Sequence, residues 1–143
     1  MKFHEIVYTL DVIDSVAEDF VALFPLTSVF TFAGELGAGK TTLVKALLHK
    51  CGVENDIIHS PTFTYLNIYS NTQGMIFYHF DLYRLKSLQD FLSAGFQEYL
   101  YQPDSIALIE WPETIMPLVM QRAVHCVIDY HGDDRRRIRY TAV

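Results

Sequence analysis

Eight consecutive residues, Gly34-Glu35-Leu36-Gly37-Ala38-Gly39-Lys40-Thr41, place three glycines, a lysine and a hydroxyl at the spacing G-x-x-x-x-G-K-[ST]. That spacing suits a chain of phosphates. Backbone amides can converge on an anion only where the loop takes turns that glycine tolerates, positive φ among them. A helix starting at Lys40 adds the positive end of its dipole. Lys40 is then expected at the β- and γ-phosphates, and the Thr41 hydroxyl in the shell of Mg²⁺. The pattern predicts a nucleoside triphosphate and Mg²⁺ as cofactors, with hydrolysis favoured over simple retention.

A magnesium-dependent site also needs an acid at the end of a neighbouring strand. The sequence offers two: the apolar run Ile106–Ile109 ends in Glu110, and Ile76–Phe80 ends in Asp81. Carboxylates there could hold the metal directly, hold it through its waters, or orient the attacking water. The guanine-selecting Asn-Lys-x-Asp is absent from the sequence, and no lid of spaced arginines suggests a small-molecule kinase. Arg135, Arg136, Arg137 and Arg139 cluster near the C-terminus. They read either as a solvated strand edge or as a contact to phosphate, nucleotide or partner.

The elements that must position these residues are legible in outline. Phe3–Leu10 reads as a strand. Ser15 and Glu18 suggest a capping box opening a helix whose Val16, Phe20 and Phe24 share a face, with Pro25 as its stop. A strand over Ser28–Ala33 leads into the glycine loop, and a helix follows from Lys40 to about Cys51, with Gly52 placed to terminate it. Thr62–Tyr69 and Met75–Phe80 form an expected hairpin around Asn71–Gly74. Ser87 with Asp90 opens a short helix that Gly95 interrupts, and Ile106–Ile109 reads as a buried strand. Val124–Tyr130 and Arg136–Tyr140 complete a last hairpin turning at Gly132 and Asp133. The fold class this predicts is α/β, a P-loop NTPase-like sandwich with a mixed parallel and antiparallel sheet.

With 143 residues, half of them hydrophobic and a fifth charged, the chain is expected to form one folded domain over residues 1–143. Its net charge of -6 and pI of about 5.4 lack the basic footprint of a dedicated nucleic-acid binder. No DNA contact is expected, and contact with RNA is expected to be indirect or confined to one patch. Cys51 and Cys126 lie far apart, outside any zinc-ligand spacing. Acidic residues Glu5, Asp11 and Asp14 interrupt the N-terminal stretch, and no apolar run reaches the roughly 18 residues of a membrane span. A cytoplasmic protein with reduced thiols is the expectation.

Four runs taken together carry a resemblance. Gly34 through Thr42, Ser60-Pro61-Thr62-Phe63, His79-Phe80-Asp81-Leu82-Tyr83-Arg84 and Glu110-Trp111-Pro112-Glu113 are similar in order and spacing to the motifs of the TsaE (YjeE) family. That family comprises bacterial P-loop ATPases needed for the threonylcarbamoyladenosine modification of tRNA. The resemblance implies ATP and ADP as the nucleotides. It implies that Gly34, Glu35, Leu36, Gly37, Ala38, Gly39, Lys40, Thr41 and Thr42 surround the phosphates. Thr62 would belong to a switch-like loop sensing the γ-phosphate or Mg²⁺, and Asp81 and Glu110 would be the acids of the metal and water site. Trp111 would sit close to the nucleotide; a buried core indole is the other reading. Arg136 and Arg139 match an Arg-x-x-Arg pattern in the last hairpin, which makes Arg136 a candidate nucleotide contact. The implied partner is a TsaB–TsaD-type heterodimer, with tRNA engaged indirectly and no membrane. Because the sequence shows no arginine finger and no acceptor pocket, the expected activity is a slow ATPase stimulated by its partners. The alternatives are a nucleotide-dependent binding switch and a small-molecule kinase.

Overall fold

The structure is a computed structural model describing residues 2–54, 57–61 and 64–142. Among these residues seven strands form one sheet: β1 (Lys2–Thr9), β2 (Val29–Ala33), β3 (Leu66–Ser70), β4 (Ile76–Asp81), β5 (Ser105–Glu110), β6 (Val124–Tyr130) and β7 (Arg135–Ala142), in the order β1-β7-β6-β2-β5-β4-β3. The four inner strands β6, β2, β5 and β4 run parallel; β1, β7 and β3 join antiparallel. The mixed sheet is therefore as expected. Every residue of β5 is buried and β2 is nearly so, the continuous apolar pattern of strands covered on both faces.

Alternation along the strands divides the core. Phe30, Phe32, Ile106, Leu108, Cys126 and Ile128 face helices α1 (Ile13–Val21) and α2 (Lys40–Lys50). Val29, Ala107, Ile109 and Phe80 face α3 (Leu88–Ser93) and α4 (Met116–Val119). Glu110 shares the parity of Ile106 and Leu108, so it points to the side where α2 begins. His79 and Asp81 share the parity of Phe77, on the same side.

Two helix ends and one helix start are as the local signals predict. Gly52 takes φ 90° after α2, and Gly95 takes φ 77° after α3, both in the left-handed region where a Cβ is costly. Ser87 accepts the Asp90 amide at 3.1 Å, the N-cap bond its position suggested. The capping box at Ser15 is corrected. α1 begins at Ile13 behind a 3₁₀ turn over Leu10–Val12, so Ser15 already lies inside the helix. The entry is tied by the Thr9 hydroxyl on the Asp11 carboxylate, and Glu18 instead accepts from Lys50 on α2 at 2.9 Å. The strand expected from Thr62 starts only at Leu66. Tyr65 has φ 65°, outside the strand conformation, and its amide bonds back to the Pro61 carbonyl at 2.8 Å. Thr62 itself lies outside the described residues. Among the described residues no helix is long and apolar enough to cross a membrane.

Candidate nucleotide site

β2 carries the chain to the C-terminal edge of the sheet, where residues 34–39 turn back into α2. Gly34 has φ 148° and lies so close to β6 that a Cβ would stand 2.2 Å from the Ile128 carbonyl oxygen. Only glycine lets the loop pass this strand. At the helix start, Gly39 is the N-cap with φ 106° and no side-chain cap hydrogen bond. No capping side chain competes there for the first amides, as an anion-binding helix terminus requires.

Above that terminus is a cleft of about 330 Å³. One wall is the loop and α2, through Leu36, Gly37, Gly39, Lys40, Thr41 and Thr42; the other is Asp81, Glu110 and Trp111. Chain separation is closed by strand pairing: β5 neighbours β2, β4 neighbours β5, and Asp81 stands directly opposite Glu110 in the register. Gly34, Glu35 and Ala38 shape the loop without lining the cleft.

Lys40 is 5% exposed, and its ammonium donates to the carbonyls of Gly34 at 2.6 Å and Glu35 at 2.8 Å. Two of its three N–H groups are used there, which leaves a third for a phosphate oxygen. The same ammonium sits 4.0 Å from the centre of the Trp111 ring. Burial lowers the Lys40 pKa below 10.5; Glu110, Glu113 and Asp81 act in the opposite direction.

Glu110 is the hub of the acidic wall. It is buried, with Oε1 accepting from the Thr41 hydroxyl at 2.6 Å and Oε2 meeting His79 Nε2 at 2.6 Å. Buried carboxylates need such donors, because an unpaired charge loses its hydration without replacement. Trp111 follows with φ 56°, its amide held by the Phe32 carbonyl at 3.2 Å, so the indole turns into the cleft and against Tyr83, at 4.7 Å between ring centres. It is a half-buried wall of the cleft and not a fully enclosed core indole.

The oxygen donors Thr41, Asp81 and Glu110 suit Mg²⁺, a hard cation that takes one or two carboxylates and completes its shell with phosphate and water. Among the described residues no group of three or more His, Cys, Asp or Glu forms a self-sufficient metal site.

Three residues of the His79–Arg84 run have a place at the site that the motif alone does not assign: His79, Tyr83 and Arg84. The spacing of two between His79 and Asp81 on one strand puts both on one face, the signal that could have found His79. Tyr83 and Arg84 line the cleft as well, so it holds an arginine besides Lys40. Arg136 is placed outside the cleft lining, against the outer side of the loop. Arg137 and Arg139 pair with Asp129 on the opposite sheet face, so the proposed Arg-x-x-Arg match joins two residues that face apart.

A glycine loop between a buried parallel strand and a helix, with acids at the ends of the adjoining strands, defines a P-loop nucleotide-binding protein of the α/β class. Residues 8–138 match the family described as threonylcarbamoyl adenosine biosynthesis protein TsaE, and the chain belongs to that family. It is 40% identical to the tRNA threonylcarbamoyladenosine biosynthesis protein TsaE of Haemophilus influenzae over 76% of this chain and 66% of that protein. It is 38% identical to the TsaE protein of Bacillus subtilis over 80% of this chain and 70% of the relative. The chain thus spans about two thirds of the length of these relatives. In structure it is similar to Bacillus subtilis YdiB, with a TM-score of 0.72 and 30% identity, over 99% of this chain and 86% of the other.

Proposed function

We propose that this chain, read as a single domain over residues 1–143, is a Mg²⁺-dependent ATPase. In this reading ATP binding and hydrolysis are coupled to threonylcarbamoyladenosine modification of tRNA by a TsaB–TsaD-type complex. The observation that carries the reading is the convergence of Lys40 and Thr41 with Glu110 and Asp81 across one cleft. Family membership and the names of the relatives supply the pathway. Adenine preference follows from the family resemblance and from the missing guanine motif. A cytoplasmic location goes with a tRNA substrate and with two free cysteines.

In this mechanism Lys40 neutralises charge on the β- and γ-phosphates while the loop amides hold their oxygens. Thr41 with Glu110 or Asp81 would hold magnesium, directly or through water, and the metal would supply further charge neutralisation. Glu110, kept in place by two hydrogen bonds, orients the attacking water or the metal shell from the far wall. Thr62 is proposed to sense the γ-phosphate or Mg²⁺. A partner completes the charge complement, so turnover by the chain alone is slow.

The test is ATP hydrolysis with Mg²⁺, by the chain alone and with purified TsaB–TsaD complex and tRNA. Stimulation that Lys40→Ala abolishes supports the proposal. Binding to the complex without stimulated hydrolysis selects a nucleotide-dependent switch. Transfer of phosphate to a small acceptor in place of water overturns both.

A further inference from the structure

The C-terminal hairpin touches the phosphate loop at three points, all on the side away from Glu110. Ile128 presents its carbonyl to Gly34. The Tyr130 hydroxyl donates to the Gly37 carbonyl at 2.7 Å, and Arg136 Nε donates to the Ala38 carbonyl at 3.1 Å. The two side chains also hold one another, with the Arg136 guanidinium 4.3 Å from the centre of the Tyr130 ring. Room for this contact depends on the loop sequence: a Cβ at Gly37 would meet the Tyr130 hydroxyl at 3.0 Å.

We infer that Tyr130 and Arg136 are positioning residues for phosphate binding, bracing the loop from outside so that its turn is set and the Gly39 amide is aimed before the anion arrives. The inference rests on the nucleotide-binding reading of the cleft. Its physical basis is the planarity of the peptide bond. A carbonyl and the following N–H point in opposite directions, so holding the Ala38 carbonyl outward turns the Gly39 N–H the other way, toward the cleft that Gly39 lines. Holding the Gly37 carbonyl likewise fixes the Ala38 N–H, which closes a turn onto the Glu35 carbonyl at 3.0 Å. A loop held in this way surrenders less conformational entropy when phosphate binds. Alternation along β7 sends Arg136 to this task, while Arg137 and Arg139 pair with Asp129 on the other face.

The experiment measures dissociation constants for ATP and for inorganic tripolyphosphate, both with Mg²⁺, on the full chain and three variants. Tyr130→Phe keeps the ring and removes the hydroxyl. Arg136→Gln keeps a donor at the position of Nε, whereas Arg136→Met is equally uncharged and has none. Thermal melting without ligand verifies that each variant is folded. Tyr130→Phe and Arg136→Met are expected to weaken ATP and tripolyphosphate by the same factor, about five-fold, as the loss of one hydrogen bond implies. Arg136→Gln is expected to bind tripolyphosphate better than Arg136→Met. Unchanged tripolyphosphate binding in Tyr130→Phe and Arg136→Met overturns the inference, as does a loss confined to ATP, which would assign these residues to the nucleoside. Arg136→Gln as weak as Arg136→Met overturns the bracing role of Arg136 and assigns its effect to charge. A wild-type chain that binds neither ligand overturns the nucleotide reading and the inference together; a wild-type chain that binds both while the variants match it overturns the inference alone.

Discussion

His79 and Glu110 meet across adjacent parallel strands, with Nε2 of the histidine 2.6 Å from Oε2 of the glutamate and both side chains buried. The other glutamate oxygen accepts from Thr41, so a chain of two hydrogen bonds joins the sheet interior to the first turn of α2. Among the described residues His79 Nδ1 has no hydrogen-bond partner. The histidine's polar contact is therefore spent on the glutamate. His79→Leu should leave that carboxylate oxygen unsatisfied and cost about 1–3 kcal/mol in urea denaturation, while His79→Gln, which keeps a donor in place of Nε2, should recover part of it.

Glu110→Gln preserves shape and removes the charge. ATP hydrolysis with Mg²⁺ is expected to fall about 10²-fold while ATP affinity stays within a few-fold of wild type, the separation expected of a residue acting on water or metal geometry. Normal hydrolysis in Glu110→Gln would remove the residue from the mechanism.

Trp111 is the one tryptophan of the sequence, and the Lys40 ammonium stands 4.0 Å from its ring. A phosphate oxygen that engages Lys40 alters this cation–π contact, so ATP titration should change tryptophan emission. Lys40→Ala should abolish both the ATP-dependent change and tight binding. A full-amplitude, tight titration by Lys40→Ala would sever the link between this lysine and the nucleotide.

Gly34→Ala and Gly74→Ala separate collision from backbone strain. Both glycines have positive φ, but a Cβ at Gly34 lies 2.2 Å from a backbone oxygen, whereas one at Gly74 meets nothing within 4 Å. Gly74→Ala should cost about 1–2 kcal/mol from the left-handed conformation alone. Gly34→Ala should cost more and displace the loop, read as a lower melting temperature and weakened ATP binding.

Asp129 is held below its ordinary carboxylate value of 3.8, first by its hydrogen bonds with Arg137, against the upward push of burial; the charges of Arg137 and Arg139 and the hydrogen bond from Arg139 add to the lowering. As pH falls, the unfolded chain takes up this proton before the folded one. The stabilisation is therefore present above pH 3.8 and is lost as pH falls through the lowered value. Asp129→Asn should be less stable than wild type at neutral pH, modestly because the pair is partly exposed, with the gap closing in strong acid. Urea midpoints at neutral and strongly acidic pH give the comparison.

The phosphate loop was legible in the sequence because its chemistry is local. Three glycines, a lysine and a threonine within eight residues are close in space whatever surrounds them. The apolar runs of β2, β4 and β5 were legible for a similar reason, since burial on both faces leaves little room for polar residues. The sequence also nominated Asp81 and Glu110, because each closes such a run. Only the tertiary structure decided that their strands lie side by side next to β2, which brings Glu110 to Thr41 across 69 residues of chain. It also decided the fate of the arginines. Their alternation is local, but which face meets the phosphate loop depends on β7 pairing with β6 in register and on β6 lying beside β2. Residue spacing fixes which side chains share a face; strand order, set by the crossovers between elements, fixes what that face meets.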